Sequence, residues 1–187
     1  MSRVYLIRHG RPASTWGGDD LDPGLDEVGR AQARAVADAL LAVSERPKRV
    51  ISSPLRRCRQ TAEPFARAIG VEVEIDRAVG EVPTPASVPH QERAAWLPKA
   101  FAGLWSEIEG DLDYEGWRQE VARAVASYAG CAVFSHYVAI NAVVSLATGD
   151  DHVAAFRPDH CSITVLEARD DGLILIEKGR EAATKVL

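Results

Sequence analysis

The sequence predicts an α/β fold built on a mostly parallel sheet, and three observations carry that prediction. Val4-Tyr5-Leu6-Ile7 is apolar without alternation, the pattern of a strand buried on both faces. Strand-like and helix-like stretches then alternate up to Ile75 in the order β, α, β, α, β. Two apolar runs end abruptly on polar residues, Arg8-His9-Gly10 and Ser135-His136, as strands do when their carboxyl ends open onto a ligand crevice.

After the first strand, residues 25–43 place Val28, Ala31, Ala35, Val36, Ala39, Leu40 and Val43 at helical spacing, with Asp26 set to cap the first turn. Residues 48–52 carry Val50 and Ile51 in a short strand, and Pro54 suits the first turn of a helix running to about Gly70. Residues 71–75 alternate Val, Glu, Val, Glu, Ile, the period of a half-exposed strand. Residues 77–90 read as loop, because Pro83, Pro85 and Pro89 oppose sustained helix. Helices are expected at 91–108, with Trp96, Leu97, Phe101, Leu104 and Trp105 on an aromatic-rich face, and at 114–129. A buried strand at 131–134, a helix at 138–147 and closing strands at 162–167 and 173–177 complete the chain. The last two strands are joined by an Asp170-Asp171-Gly172 turn.

At 187 residues the chain suits one domain, 1–187, with 82–115 as the candidate lid or insertion over the site. A net charge of −5 argues against broad nucleic-acid binding, which needs a basic face for phosphates. No segment approaches the roughly 20 apolar residues of a membrane span, so a cytoplasmic protein is expected. Cys58, Cys131 and Cys161 are scattered without metal-ligand spacing and read as core residues. An anionic substrate would need local cations, and Arg8, Arg11, Arg56, Arg57 and Arg59 supply them if the fold joins the two segments.

Arg8-His9-Gly10, then Leu25-Asp26-Glu27-Val28-Gly29-Arg30-Ala31-Gln32-Ala33, then Ser52-Ser53-Pro54-Leu55-Arg56-Arg57-Cys58-Arg59-Gln60-Thr61-Ala62 resemble the histidine phosphatase superfamily, the phosphoglycerate mutase-like proteins, in order, spacing and type. With Glu81 and Ser135-His136 the resemblance covers nearly the whole chain. It implies a three-layer α/β/α sandwich with about six strands, a phosphohistidine intermediate, and no metal or other cofactor. It casts His9 as nucleophile, Arg8 and Arg57 as phosphate clamps, His136 as the second phosphate-binding histidine and Glu81 as proton donor. Arg57 is chosen over Arg56 and Arg59 because it lies four residues before Thr61, the family register. Three departures stand out: Arg11-Pro12 follows the Arg-His-Gly, Tyr137 replaces the glycine common after the second histidine, and residues 80–85 lack the Glu-Arg-His-Tyr-Gly block of true mutases. The last favours a phosphatase acting on phosphomonoesters of a small metabolite or a phosphoprotein. A mutase, and a non-catalytic phospho-ligand binder on the same scaffold, are the alternatives.

Phosphoryl transfer asks mainly for positioned cations, because charge spreads over three equatorial oxygens. Guanidinium groups match those oxygens with paired donors. An imidazole attacks phosphorus only from an unprotonated nitrogen, so His9 is expected neutral, whereas His136 is expected to be a cationic N–H donor beside the dianion. One carboxyl group, Glu81, can protonate the leaving oxygen and later deprotonate water. Tyr137 and Thr15 are further substrate-side candidates; Ser14 and Thr15 belong equally to a solvated loop running through residues 16–20. Ser53 either donates to phosphate or caps its helix, with capping preferred. Asp76 reads as a cap or turn residue, His90 as solvent-facing, and His152 and His160 as surface or packing histidines. Asn141 is left open.

Overall fold

The computed structural model describes residues 2–14, 20–89, 92–108, 111–170 and 172–183. Its strands are β1 (Ser2–Arg8), β2 (Arg49–Ser52), β3 (Val73–Ile75), β4 (Cys131–Ser135), β5 (Ile163–Arg169) and β6 (Gly172–Glu177), and its helices α1 (Glu27–Ala42), α2 (Arg56–Ile69), α3 (Arg93–Phe101), α4 (Tyr114–Ser127) and α5 (Tyr137–Thr148). They form one sheet in the order β3-β2-β4-β1-β5-β6. The pairs β3/β2, β2/β4 and β4/β1 are parallel, whereas β5 and β6 add antiparallel at the far edge. The sheet is thus mixed, and its parallel half holds the first four strands.

Alternation along the central strands sorts side chains into two cores. Val4, Leu6, Ile51, Val133 and Leu166 face α4 and α5, packing on Val121, Val125, Ile140, Val143 and Val144. Tyr5, Ile7, Val50, Ala132 and Phe134 face α1 and α2, packing on Val36, Leu40 and Phe65. Helices on both faces of the sheet make the α/β/α sandwich that the family resemblance implies.

The caps are chemically legible. The Asp26 side chain accepts from Gly29 N–H and starts α1, while Gly70, at φ 73°, ends α2 in a left-handed conformation that suits glycine. The buried face of α1 is Gly29, Ala33, Val36, Ala37 and Leu40, whereas Val28, Ala31, Ala35 and Ala39 of the predicted stripe are exposed. The helix is rotated because Gly29 is pressed against the backbone of Arg11: a Cβ on Gly29 would lie 2.1 Å from the Arg11 carbonyl oxygen, and one on Gly10 would lie 2.8 Å from the Gly29 carbonyl oxygen. α2 begins at Arg56, so Pro54 lies just before the helix and not in its first turn.

The expected helix at 91–108 is shorter. α3 stops at Phe101, and Trp105–Glu107 forms a separate 3₁₀ turn. The backbone between them is taken by another segment: Trp105 N–H donates to the Asp151 carbonyl, Val153 N–H donates to the Gly103 carbonyl, and Leu104 bridges His152. Pairing of these groups outside the helix ends it, which local propensity cannot foresee. Val82, Trp105, Tyr114, Tyr137, Val138, Ala142 and Val153 form a third cluster here, with Trp96, Leu97, Phe101 and Ile108 against it. The aromatic face is therefore a small core laid over the start of α5.

Gly29→Ala tests the α1 contact. Alanine would favour an unstrained helix position by about 1 kcal/mol, but the overlap with Arg11 is expected to reverse the sign and cost about 1–3 kcal/mol. Urea unfolding measures it, and a midpoint at or above that of wild type would refute the close approach.

Candidate active site

Three parallel strands deliver the site. Arg8 of β1 is in register with Ser135 of β4, and the His9 amide donates to the Ser135 carbonyl at 3.0 Å, so both histidines leave the sheet side by side. On the other side of β4, the Ser53 amide donates to the Phe134 carbonyl, which launches the chain into α2 and its Arg57. The carboxyl end of a parallel sheet thus gathers Arg8, His9, Ser53, Arg57 and His136. Arg8, His9, Ser53, Arg57 and His136 are all buried, and Glu81 is half-buried. The rings of His9 and His136 are 5.3 Å apart at their centroids.

Hydrogen bonding fixes one tautomer at each imidazole. His9 Nδ1 lies 2.8 Å from the Gly10 carbonyl oxygen, which can only accept, so this nitrogen carries the proton. Arg57 Nε donates to His9 Nε2 at 3.2 Å, so Nε2 holds the lone pair. The same guanidinium donates from Nη2 to His136 Nδ1 at 3.3 Å, which leaves the His136 proton on Nε2, 2.7 Å from Ser53 Oγ. The register of Arg57 is held through Thr61: its hydroxyl donates to the Arg57 carbonyl and accepts from the Gly10 amide.

Electrostatics agree with these assignments. Burial, reinforced by His136 and by the Arg57 and Arg8 cations, holds His9 well below the ordinary imidazole value of 6.5. Burial and the same two guanidinium groups depress His136 likewise. The sequence-based expectation of a neutral His9 agrees with this. Without a dianion beside it His136 is neutral, because a third buried positive charge would face two guanidinium groups; the expected cationic form belongs to a phosphate-bound site. Glu81 moves the other way: burial raises its pKa, against the Val82 amide, which donates to its carboxylate at 2.9 Å, and against Arg57 and Arg8.

Arg8 Nη1 donates to the Pro158 carbonyl at 2.9 Å, and its guanidinium carbon sits 5.2 Å from the centroid of the Tyr137 ring. Its buried Nε has no hydrogen-bond partner among the described residues, a donor suited to an anionic oxygen. Arg11, by contrast, is exposed and paired with Asp26. The Arg56 amide donates to Asp22, and Arg56 and Arg59 are exposed. Of the five candidate cations, Arg8 and Arg57 are the two buried beside His9.

Several other expectations sort out. Ser53 does not cap α2, whose N-cap is Leu55; its hydroxyl accepts from the Leu55 amide and holds His136 Nε2. Asp76 caps the turn at Arg77–Val79 and also accepts from Tyr128. Asn141 is a clamp, donating to the Tyr137 carbonyl and accepting from the Phe156 amide. Cys58 is buried with its sulfur 3.3 Å from His136 Nε2, and burial pushes its thiol up. His152 is exposed beside Asp150. Thr15 and His90 lie outside the described residues.

His160 is the site neighbour that sequence reasoning missed. Its ring is 5.8 Å from that of His9, and burial and the Arg8 cation lower its pKa to about 4. Its loop is tied to Arg8, which accepts from the Cys161 amide through its carbonyl and donates to the Pro158 carbonyl. No local motif marks it. Only the antiparallel pairing of β5 with β1 brings the start of β5 to the carboxyl end of β1. Among the described residues, no group of three or more His, Cys, Asp or Glu is placed to hold a metal ion, and no helix is long and apolar enough to cross a membrane.

Two histidines and two buried arginines at the carboxyl edge of an α/β/α sheet define a class. Residues 4–179 match the histidine phosphatase superfamily (branch 1), and the chain belongs to that superfamily. It is 31% identical over 120 residues to the transcription factor tau 55 kDa subunit of Saccharomyces cerevisiae, covering 57% of this chain and 27% of that protein. It is 37% identical over 87 residues to a probable phosphoglycerate mutase of Photorhabdus laumondii, covering 44% of this chain and 39% of that one. These matches span well under half the length of either relative. In fold it is similar to a phosphoserine phosphatase of Entamoeba histolytica solved with 3-phosphoglyceric acid, at TM-score 0.76 and 19% identity over 98% of each chain.

The depressed histidines set an acid response. A buried imidazole binds fewer protons folded than unfolded, so protons favour the unfolded chain. His9, His136 and His160 should each remove up to about 1.4 kcal/mol of stability per pH unit as the pH falls below about 6.5. Raised Glu81 opposes them, since its contribution is present in acid and is lost as the pH rises through its folded value. Three imidazoles outweigh one carboxyl, so urea unfolding at about pH 7.5 and about pH 5.5 should show a net loss in acid. Equal stability at both would mean that the rings take up protons as readily in the folded chain as in the unfolded one.

Proposed function

We propose that this protein is a phosphomonoesterase that works through a phosphohistidine on His9. The observation that carries the reading is the fixed His9 tautomer, with Nδ1–H spent on the Gly10 carbonyl and the Nε2 lone pair directed at Arg57. That nitrogen is a nucleophile held in one orientation, among cations suited to a dianion. Phosphatases among the solved structures of the same fold support a hydrolytic reading.

A phosphate dianion competes for Arg57 as the better acceptor, so its oxygens take the donors now given to His9 and His136. Nε2 is thereby freed, attacks phosphorus in line, and the bond to the ester oxygen breaks. Glu81, whose acid form burial favours and a bound dianion favours further, gives its proton to the departing oxygen. The resulting carboxylate takes a proton from water, whose oxygen displaces the phosphoryl group from Nε2 and returns the lone pair to His9. Arg8 and Arg57 carry the charge of the equatorial oxygens throughout. By screening the guanidinium field, the dianion favours protonation of His136 on Nδ1, which turns it from acceptor into donor. We assign substrate contact to Arg8, Arg57 and His136, and a covering role to residues 82–115, whose cluster seats on Tyr137 and Val138. The substrate class is a small phosphorylated metabolite, with a phosphoprotein as the alternative source of the same ester.

A mutase is the second reading, supported by the identity to a probable phosphoglycerate mutase. Label from a phosphorylated sugar acid would then return to a hydroxyl of the acid instead of appearing in inorganic phosphate.

Two measurements test the proposal. Wild type incubated with an aryl phosphate and quenched in alkali should carry acid-labile phosphate on His9, and His9→Ala should carry none and lose turnover. Phosphate release by His9→Ala at the wild-type rate would remove His9 from the chemistry. Glu81→Gln should slow turnover of alkyl esters by about 10²- to 10⁴-fold and slow aryl phosphates, whose leaving groups need less protonation, far less. Equal losses on both substrates would mean that Glu81 does not act on the leaving oxygen.

A further inference from the structure

We infer that Tyr137 is a positioning residue that fixes the Arg8 guanidinium and ties it to α3, so that the segment 82–115 tunes phosphate binding through an aromatic relay. This inference rests on the reading of the site as a phosphate site. The observation is a line of three contacts. The Arg8 guanidinium carbon lies 5.2 Å from the Tyr137 ring centroid, and the same ring stacks with Phe101 at 5.3 Å between centroids and 30° between planes. Phe101 is the last residue of α3.

Each contact has a physical consequence. Among the described residues the Arg8 side chain has one hydrogen bond, from Nη1 to the Pro158 carbonyl, and a guanidinium held at a single point can pivot about it. The Tyr137 ring face limits that pivot and attracts the cation. Tyr137 is itself immobilised: it is 7% exposed, begins α5 directly after His136, and belongs to the cluster that includes Val82, Trp105 and Tyr114. Phe101 joins that cluster to the ring. The seat of α3 therefore sets the ring, and the ring sets the cation. A glycine or small aliphatic residue at 137 would keep the helix and break the relay.

The test is inorganic phosphate affinity, by calorimetry and by competition with aryl phosphate turnover. Tyr137→Phe, Tyr137→Leu, Phe101→Tyr and Phe101→Leu are each made alone and in an Arg8→Lys background. Tyr137→Leu should weaken phosphate about thirtyfold, the size of a desolvated cation–π contact, and Phe101→Leu about threefold. The ring-preserving variants should stay within about twofold of wild type. In the Arg8→Lys background neither leucine variant should weaken binding further, because a lysine lacks the planar group that the ring orients. Persistence of either loss in that background overturns the relay, since the residue then acts on the ligand or the fold without Arg8. Equal losses for Phe101→Tyr and Phe101→Leu also overturn it, whether or not the leucine variant unfolds early. Wild type that binds phosphate while all four variants match it refutes the relay alone, whereas wild type that binds no phosphate refutes the functional reading with it.

Discussion

The site depends on one buried cation placed between two bases. Arg57 gives one hydrogen bond to His9 and another to His136, and burial, reinforced by its charge and that of Arg8, keeps both rings neutral. Two guanidinium groups held together beneath the surface repel each other, and neutral imidazoles compensate neither charge. An oxyanion carrying two negative charges relieves that imbalance better than water can. The arrangement carries an uncompensated positive charge, and its strain is electrostatic.

This arrangement survives because the backbone around it leaves little choice. β1 and β4 end at the same level, so His9 and His136 emerge together, and β2 ends beside them to start the helix that carries Arg57. Close packing then locks the loops. Gly10 and Gly29 let the chain after β1 lie directly on α1, and Thr61 ties the Gly10 amide to the turn of α2 that holds Arg57. A rigid cradle of this kind lowers the reorganisation needed when charge develops on a transferring group.

The segment 82–115 has a different character. Its aromatic residues pack on the start of α5, and Phe101 stacks on Tyr137, whose ring lies beside the Arg8 guanidinium. Tyr137, the first residue of α5, thus touches both the aromatic cluster and the buried arginine.

The local content of the sequence determined the strands, the Asp26 and Asp76 caps and the Arg8-His9-Gly10 turn, because these depend on propensity and capping chemistry within one segment, while the choice of Arg57 came from the family resemblance. Tertiary structure decided what spacing cannot express. The helix at 91–108 was cut short because residues 151–153 claim its backbone groups, and α1 turned because Gly29 had to meet Arg11. Ser53 became a partner of His136 once β2 and β4 paired, and His160 joined the site because β5 runs antiparallel to β1. The charge of His136 belongs to the same group: a neutral ring there follows from burial beside two guanidinium groups, a condition set by residues far apart in the chain.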